Sequence, residues 1–194
     1  VSRQNGYSLA ELLTSLAIIS LILLVSIPSF GGIWRKYAVR VASASIRSVF
    51  QLARSRAIAR GANCGAKFVR VSGEWRYALY DDGDGDGVRS DDIERGTDRR
   101  VTPLQVVFPH SKAVSIGVLA ENILDPDGDP LLATSSPVQF NRSTICSFSP
   151  LGQATPGTIY LTAPDRNLWA VRVYGATGKL TVLRYDTGSR KWRR

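Results

Sequence analysis

Nineteen consecutive residues, Leu9 to Ile27 (LAELLTSLAIISLILLVSI), carry a single charge, Glu11. As a helix they span about 28 Å, close to the hydrocarbon thickness of a bilayer. The run is apolar on all sides, whereas a surface helix shows one apolar stripe, so it reads as a membrane segment. A secretory signal peptide has a shorter apolar core and a small-residue cleavage site behind it. Here Pro28, Ser29, Phe30, Gly31 and Gly32 follow, and then basic residues. A carboxylate inside such a helix costs about 2.5–3.5 kcal/mol on insertion scales, so Glu11 needs a partner. A cut after Gly6 would place a new amine on Tyr7, four residues before Glu11 and about one helical turn away. That amine can pair with Glu11 of its own chain or of a neighbour in a stack of parallel helices. The second pairing makes Glu11 a register device for assembly.

Gly6-Tyr7-Ser8-Leu9-Ala10-Glu11 resembles the processing site of type IV prepilins. The resemblance implies that residues 1–6 are a leader, removed after Gly6 by a membrane aspartyl peptidase that then methylates Tyr7. Pilins usually carry phenylalanine where Tyr7 stands. Glu11 becomes the fifth mature residue, where the family has its glutamate, and Pro28 the twenty-second, where pilins commonly have a helix-kinking proline. Pro28 removes one backbone donor and bends a helix. The resemblance further implies that residues 7–30 are a transmembrane assembly helix. It implies a single pass through the bacterial inner membrane, with a periplasmic head. The implied partners are other pilins or pseudopilins, the prepilin peptidase and the inner-membrane assembly platform.

The formal net charge of +9 is unevenly distributed. Residues 31–60 hold seven cations and no acid, residues 81–129 hold twelve acids against five bases, and residues 130–194 hold nine bases against two acids. In 31–60 the apolar positions Val39, Ala42, Ile46, Val49, Phe50, Ala53 and Ala57 recur every three or four residues. The spacing predicts an amphipathic continuation of the helix, with Lys36, Arg40, Arg47 and Arg54 striped beside the apolar face and Gly61 as the stop. The stripe reads either as a solvated flank or as a surface for anionic lipid or acidic neighbours. Residues 61–194 read as short strands. Lys67–Val71 and Glu74–Tyr80 flank the turn dipeptide Ser72-Gly73, and further candidates are 105–108, 114–119, 138–140, 158–162, 169–174 and 179–185. One long helix followed by many strands indicates an α+β fold.

Ala53-Arg54-Ser55-Arg56-Ala57-Ile58, the strand from Trp75 to Tyr80 leading into Asp82, and the hairpin turning at Gly178 resemble the H-type minor pseudopilins of type II secretion and FimT-like minor pilins. The resemblance implies a pilin-like fold, in which the helix packs on a β-rich head of antiparallel sheets. It also implies a part in initiating or capping a filament of type II secretion or of a type IV pilus.

Asp82, Asp84 and Asp86 alternate with glycines and precede Gly87, matching the first half of a calcium loop. The twelfth position is Ile93, where a bidentate glutamate would be needed, while Asp91 and Asp92 fall early. The segment therefore reads either as a looser calcium loop of Asp82, Asp84, Asp86, Asp91 and Asp92 or as a solvated acidic turn. Cys64 and Cys146 are candidates for a disulfide or for a free buried pair. With one histidine, His110, and no convincing nucleophile motif, no enzymatic role is expected. FimT-like pilins that take up DNA use a glycine-arginine-any-arginine motif, and here the corresponding stretch is Gly178-Lys179-Leu180-Thr181. The alternative function, a DNA receptor, would rest on Lys179 and on the tail cations Arg190, Lys191, Arg193 and Arg194 around Trp192.

Overall fold

The computed structural model describes residues 8–109, 113–119, 123–131, 135–163 and 167–194, with the side chains of 24–36 left aside. Gly6, Tyr7 and His110 lie outside the described residues. The chain divides into two units, Val1–Tyr37 and Ala38–Arg194. That helix, α1, runs Leu9–Arg60 and includes Pro28. It ends at Gly61, whose φ of 63° is the left-handed conformation of a helix stop.

In the second unit the strands are β1 (Cys64–Val71), β2 (Glu74–Asp81), β3 (Arg99–Arg100), β4 (Gln105–Val106), β5 (Ser115–Ile116), β6 (Ile123–Leu124), β7 (Pro130–Leu131), β8 (Val138–Phe140), β9 (Ile145–Phe148), β10 (Gly157–Thr162), β11 (Leu168–Tyr174), β12 (Lys179–Asp186) and β13 (Lys191–Arg193). A short helix, α2, covers Ser90–Arg95. All the strand pairings are antiparallel. The first sheet runs β3-β2-β1-β9, with β4 also on β2; the second runs β13-β12-β11-β10-β5, with β8 also on β10; β6 and β7 form a small third sheet. The expected hairpin is present, and both turn residues, Ser72 and Gly73, have positive φ. Strand β9, which includes Cys146, had no counterpart in the sequence reading.

The helical periodicity decides the packing. Val39, Ala42, Ile46, Val49, Phe50, Ala53 and Ala57 are all buried, and they share one core with residues of both large sheets. Phe50 sits at its centre, with ring centroids 5.8 Å from Phe68, 5.7 Å from Phe140 and 5.8 Å from Phe148. Two of those contacts are edge-on, the arrangement aromatic quadrupoles favour. The other face of the second sheet carries a separate core, in which Tyr160, Leu168, Ala170, Leu183 and Tyr185 pack with Ile123 and Leu131 of the small sheet.

One ion-pair cluster ties the end of α1 to the β1–β2 hairpin. Arg56 makes two hydrogen bonds to Asp81, of 2.7 and 2.9 Å, and Arg60 approaches the same carboxylate at 3.1 Å. The Arg56 hydrogen bonds hold the Asp81 carboxyl below its ordinary range, against the opposing effect of burial. A carboxyl depressed in the folded state contributes stability above its unfolded pKa, and that contribution is lost as pH falls through the folded value. Asp81→Ala should therefore cost about 1–2 kcal/mol at neutral pH, because the Arg56 side chain is partly exposed and leaves no stranded buried charge. In urea unfolding, the gap between parent and variant should shrink as pH drops below about 4.

Candidate functional site

The described side chains of the first unit present apolar surface on every side. Leu9, Leu12, Leu13, Leu16, Ile18, Ile19, Leu21, Ile22 and Leu23 are each more than half exposed. Glu11 lies in this ring, exposed, in the first turn of α1. Its N–H donates to the Ser8 carbonyl at 3.0 Å, and its carbonyl accepts the hydroxyls of Thr14 and Ser15 at 3.0 and 2.7 Å. Among the described residues no helix is long and apolar enough to cross a membrane; the described side chains of the Leu9–Ile27 run stop at Leu23.

The acidic loop after β2 is built around one carboxylate. Asp82 accepts N–H groups from Asp84 (3.1 Å) and Gly85 (2.7 Å) on Oδ1, and from Gly87 (2.7 Å) and the Asn63 amide (2.6 Å) on Oδ2. Burial works to raise the Asp82 carboxyl, but these donors outweigh it and hold the group below its usual range. Gly83 passes so close to the Thr97 carbonyl that a Cβ would stand 2.1 Å from that oxygen. The carboxylate oxygens of Asp82, Asp84 and Asp86 gather within 4.8 Å of one another. Asp86 is also paired with Arg89. Partial desolvation raises the Asp86 carboxyl, Arg89 opposes the rise, and the neighbouring Asp84 adds to it.

The other two expected oxygen donors stand apart from this group. Asp92 is buried on α2 and takes Arg95 at 2.6 Å, and Asp91 is exposed on the same helix. The loop is instead closed by Asp98, which sequence reasoning did not find. Asp98 is 2% exposed, and its two oxygens accept the N–H groups of Gly83 (3.1 Å) and Arg89 (2.9 Å). Val88 packs over Gly65 and donates to the Ser147 hydroxyl at 3.3 Å, which seats the loop on the face of the first sheet turned away from α1.

Of the two alternatives for the cysteines, the structure shows the second: Cys64 and Cys146 are both free and buried. In the β1–β9 pairing Cys64 faces Phe148 and Cys146 faces Ala66, so the cysteines are diagonal neighbours. Diagonal positions lie about 7–8 Å apart, beyond the usual Cα separation of about 4.4–6.8 Å for a bridge. The Cys146 thiol donates to the Thr155 carbonyl at 3.6 Å, and burial raises its pKa well above normal. Burial, with Asp81 beside it, pushes the Cys64 thiol up to about 12.

Of the cations expected to serve DNA, Lys179 stands apart from the tail group Arg190, Lys191, Arg193 and Arg194. Lys179 opens β12 opposite Tyr174, whereas Lys191 and Arg193 pair with Asp186 and Arg184 near its far end. Lys179 and Arg184 are separated by about 17 Å of strand. The tail is not frayed: it adds β13 to the sheet. Trp192 packs on Tyr160 and Tyr185 and donates to the Leu124 carbonyl at 2.8 Å, so its ring is committed to the second core. Arg193 is drawn to Asp186 at 3.2 Å, while Arg190 and Arg194 are exposed.

Two family descriptions match the chain. The prokaryotic N-terminal methylation motif covers residues 1–27, and the type II transport protein GspH covers residues 42–178. The second spans most of the head, and the chain belongs to that family: it is a type IV pilin-like minor pseudopilin of type II secretion. The family is structural and not catalytic. Comparison with curated proteins and with solved structures gave no match.

Removing the Asp82 carboxylate should open the acidic loop while sparing the core. Asp82→Ala is expected to raise hydrogen exchange at the Gly85 and Gly87 amides about tenfold or more, with β1 amides unchanged. Equal exchange in both proteins would mean that Asp82 does not organise the loop.

Proposed function

We propose that the chain is inserted in the inner membrane through Leu9–Ile27, processed after Gly6, and assembled with other pilin-like subunits at the tip or initiation complex of a type II secretion pseudopilus. The observation that carries this reading is the apolar surface of the first unit. Nine large aliphatic side chains exposed around one helix exceed any patch a soluble monomer tolerates, so lipid or other helices must cover them. The methylation motif over the same residues supports processing by the prepilin peptidase, with the amine of Tyr7 as the partner of Glu11. Recruitment would then run through the inner-membrane assembly platform. The GspH match favours secretion over a type IV pilus, and the separation of Lys179 from the tail cations lends little support to a DNA receptor.

Intact mass of the protein from its native host should show residues 1–6 removed and one methyl group added. Glu11→Ala should leave membrane insertion intact and lower incorporation into the filament about tenfold, read by shearing and immunoblotting. Incorporation equal to the parent's would overturn the pairing role.

We also propose calcium as the ligand of the Asp82–Asp86 loop. The convergence of three carboxylates within 4.8 Å supports it, since calcium accepts irregular oxygen sets. Asp84 and the Asp86 oxygen not taken by Arg89 would supply the ligand oxygens, with Asp82 as the preformed support, and Asp91 and Asp92 would take no part without rearrangement. Saturating calcium at about a hundred times its dissociation constant should add about 2.7 kcal/mol to stability. The doubly substituted Asp84→Asn, Asp86→Asn protein should show no such gain in thermal unfolding.

A further inference from the structure

One residue sets the hydrogen-bond phase of the second sheet. Tyr160 of β10 donates its N–H to the Pro137 carbonyl at 2.8 Å and accepts the Gly117 N–H at 3.1 Å. Both of its backbone groups therefore turn toward the side of β10 that carries β5 and β8, away from β11. Antiparallel ladders alternate, so Ile159 and Leu161 are the residues that bond to β11, through Val171 and Trp169 opposite them. Ala170, Arg172 and Tyr174 then turn to β12, where they stand opposite Leu183, Thr181 and Lys179. On β12 the next set in the alternation is Leu180, Val182 and Arg184, whose N–H and C=O groups point to the outer edge of the sheet. Strand β13 meets Arg184 through Arg193, and its pairing ends there. Leu180 and Val182 are left with two donors and two acceptors on an open edge, and among the described residues nothing bonds to them.

Other edges of the two large sheets are closed. Strand β10 is covered by β5 and β8, and β2 by β3 and β4, with Val101 and Val107 donating to the Leu79 and Trp75 carbonyls. Strand β9 is met by the turn that follows it, where Thr155 donates to the Ser147 carbonyl at 2.8 Å. Edge strands are usually blunted by charge, proline or a bulge. Between Lys179 and Arg184 the β12 edge reads Leu180-Thr181-Val182-Leu183, with no charge, proline or glycine. The Leu180 and Val182 side chains turn to the core shared with α1 but are only half-buried, so a strand laid beside them would complete their cover. Lys179 stands exposed at the start of this edge, on the other face of β12, and among the described residues it forms no ion pair.

We propose that the β12 edge from Lys179 to Leu183 receives an extended segment of a partner protein by strand addition. The segment runs antiparallel to β12, with apolar side chains opposite Leu180 and Val182 and a carboxylate opposite Lys179. Strand addition draws affinity from main-chain hydrogen bonds and specificity from alternate side chains. Here the four open backbone groups supply the first, and the half-covered Leu180 and Val182 with the exposed Lys179 supply the second. A second copy of β12 is the wrong occupant. Antiparallel pairing about Thr181 would set Lys179 of each copy beside Leu183 and Arg184 of the other, bringing like charges together. The edge takes one segment, which suits a minor subunit that meets a specific neighbour. Glu11, the Leu9–Ile27 run and the Asp82 loop have no part in it, so it stands or falls apart from the function proposed above.

The test uses the full chain in detergent, with amide hydrogen exchange read residue by residue by NMR. In the free protein the Leu180 and Val182 amides should exchange about tenfold or more faster than those of Thr181 and Leu183, which bond to β11. The probe is a capped threonine–valine–threonine–valine–glutamate peptide, whose valines fall opposite Leu180 and Val182 and whose glutamate falls opposite Lys179. In excess it should slow exchange at the Leu180 and Val182 amides about tenfold and leave β1 amides unchanged. The same peptide methylated on both valine nitrogens should have no effect. Lys179→Glu should lose about tenfold in affinity for the peptide and prefer a version ending in lysine. That change alters an exposed side chain, and an unchanged thermal midpoint verifies folding. Leu180 and Val182 amides as slow as their neighbours in the free protein, exchange unaltered by the peptide, or equal protection by the methylated peptide would overturn the proposal. So would protection that rises with protein concentration alone, because the edge would then take a second copy.

Discussion

Phe50 is where the head is joined. Its ring meets Phe68 from the first sheet, Phe140 from the second, and Phe148 from the strand that leads from one sheet toward the other. Two sheets with no shared strand meet in one core: Phe50 touches both, Phe68 stacks on Phe140 across them, and the Trp75 indole donates to the Ile116 carbonyl. Burying such a ring is worth roughly 3–5 kcal/mol against alanine, a large part of what a head of this size has to spare. The small residues Ala42, Ala53 and Ala57 on the same face let the helix approach closely enough for that contact. The Arg56–Asp81 pair adds direction more than energy: it fixes which end of the hairpin lies under the end of the helix.

Once that junction is set, the outward faces become available for distinct uses. The far face of the first sheet carries the Asp82 loop, and the far face of the second is closed by the small β6–β7 sheet and Trp192. Arg172 pairs with Asp127 at 2.5 Å on that closed side, whereas Arg184 lies on the opposite face beside Trp169. Two arginines twelve residues apart in sequence thus serve different surfaces. Strand alternation sorts the basic C-terminal block into a structural part and an exposed part, a division that net charge conceals.

The helix and the principal strands were legible because periodicity reports burial directly: every apolar position expected on the core face of α1 is buried. Strands β8, β10, β11 and β12 were legible for the same reason, whereas β9 was not. What escaped was set by tertiary contact. Strands β3, β6, β7 and β13 are two or three residues long and take their conformation from a neighbour, so no local pattern announces them. In the acidic loop, the spacing of Asp82, Asp84 and Asp86 marked the carboxylates that converge. The spacing could not show Asp98, which reaches back over a dozen residues to cap the same turn, or the diversion of Asp92 to Arg95. The cysteines illustrate the limit again, since their pairing depends on a strand register that sequence does not supply.

That register has an effect on how the head is made. With both thiols buried and hydrogen-bonded or shielded, and neither readily ionised, the core is complete in its reduced form. The folded head therefore offers an oxidant no readily formed thiolate.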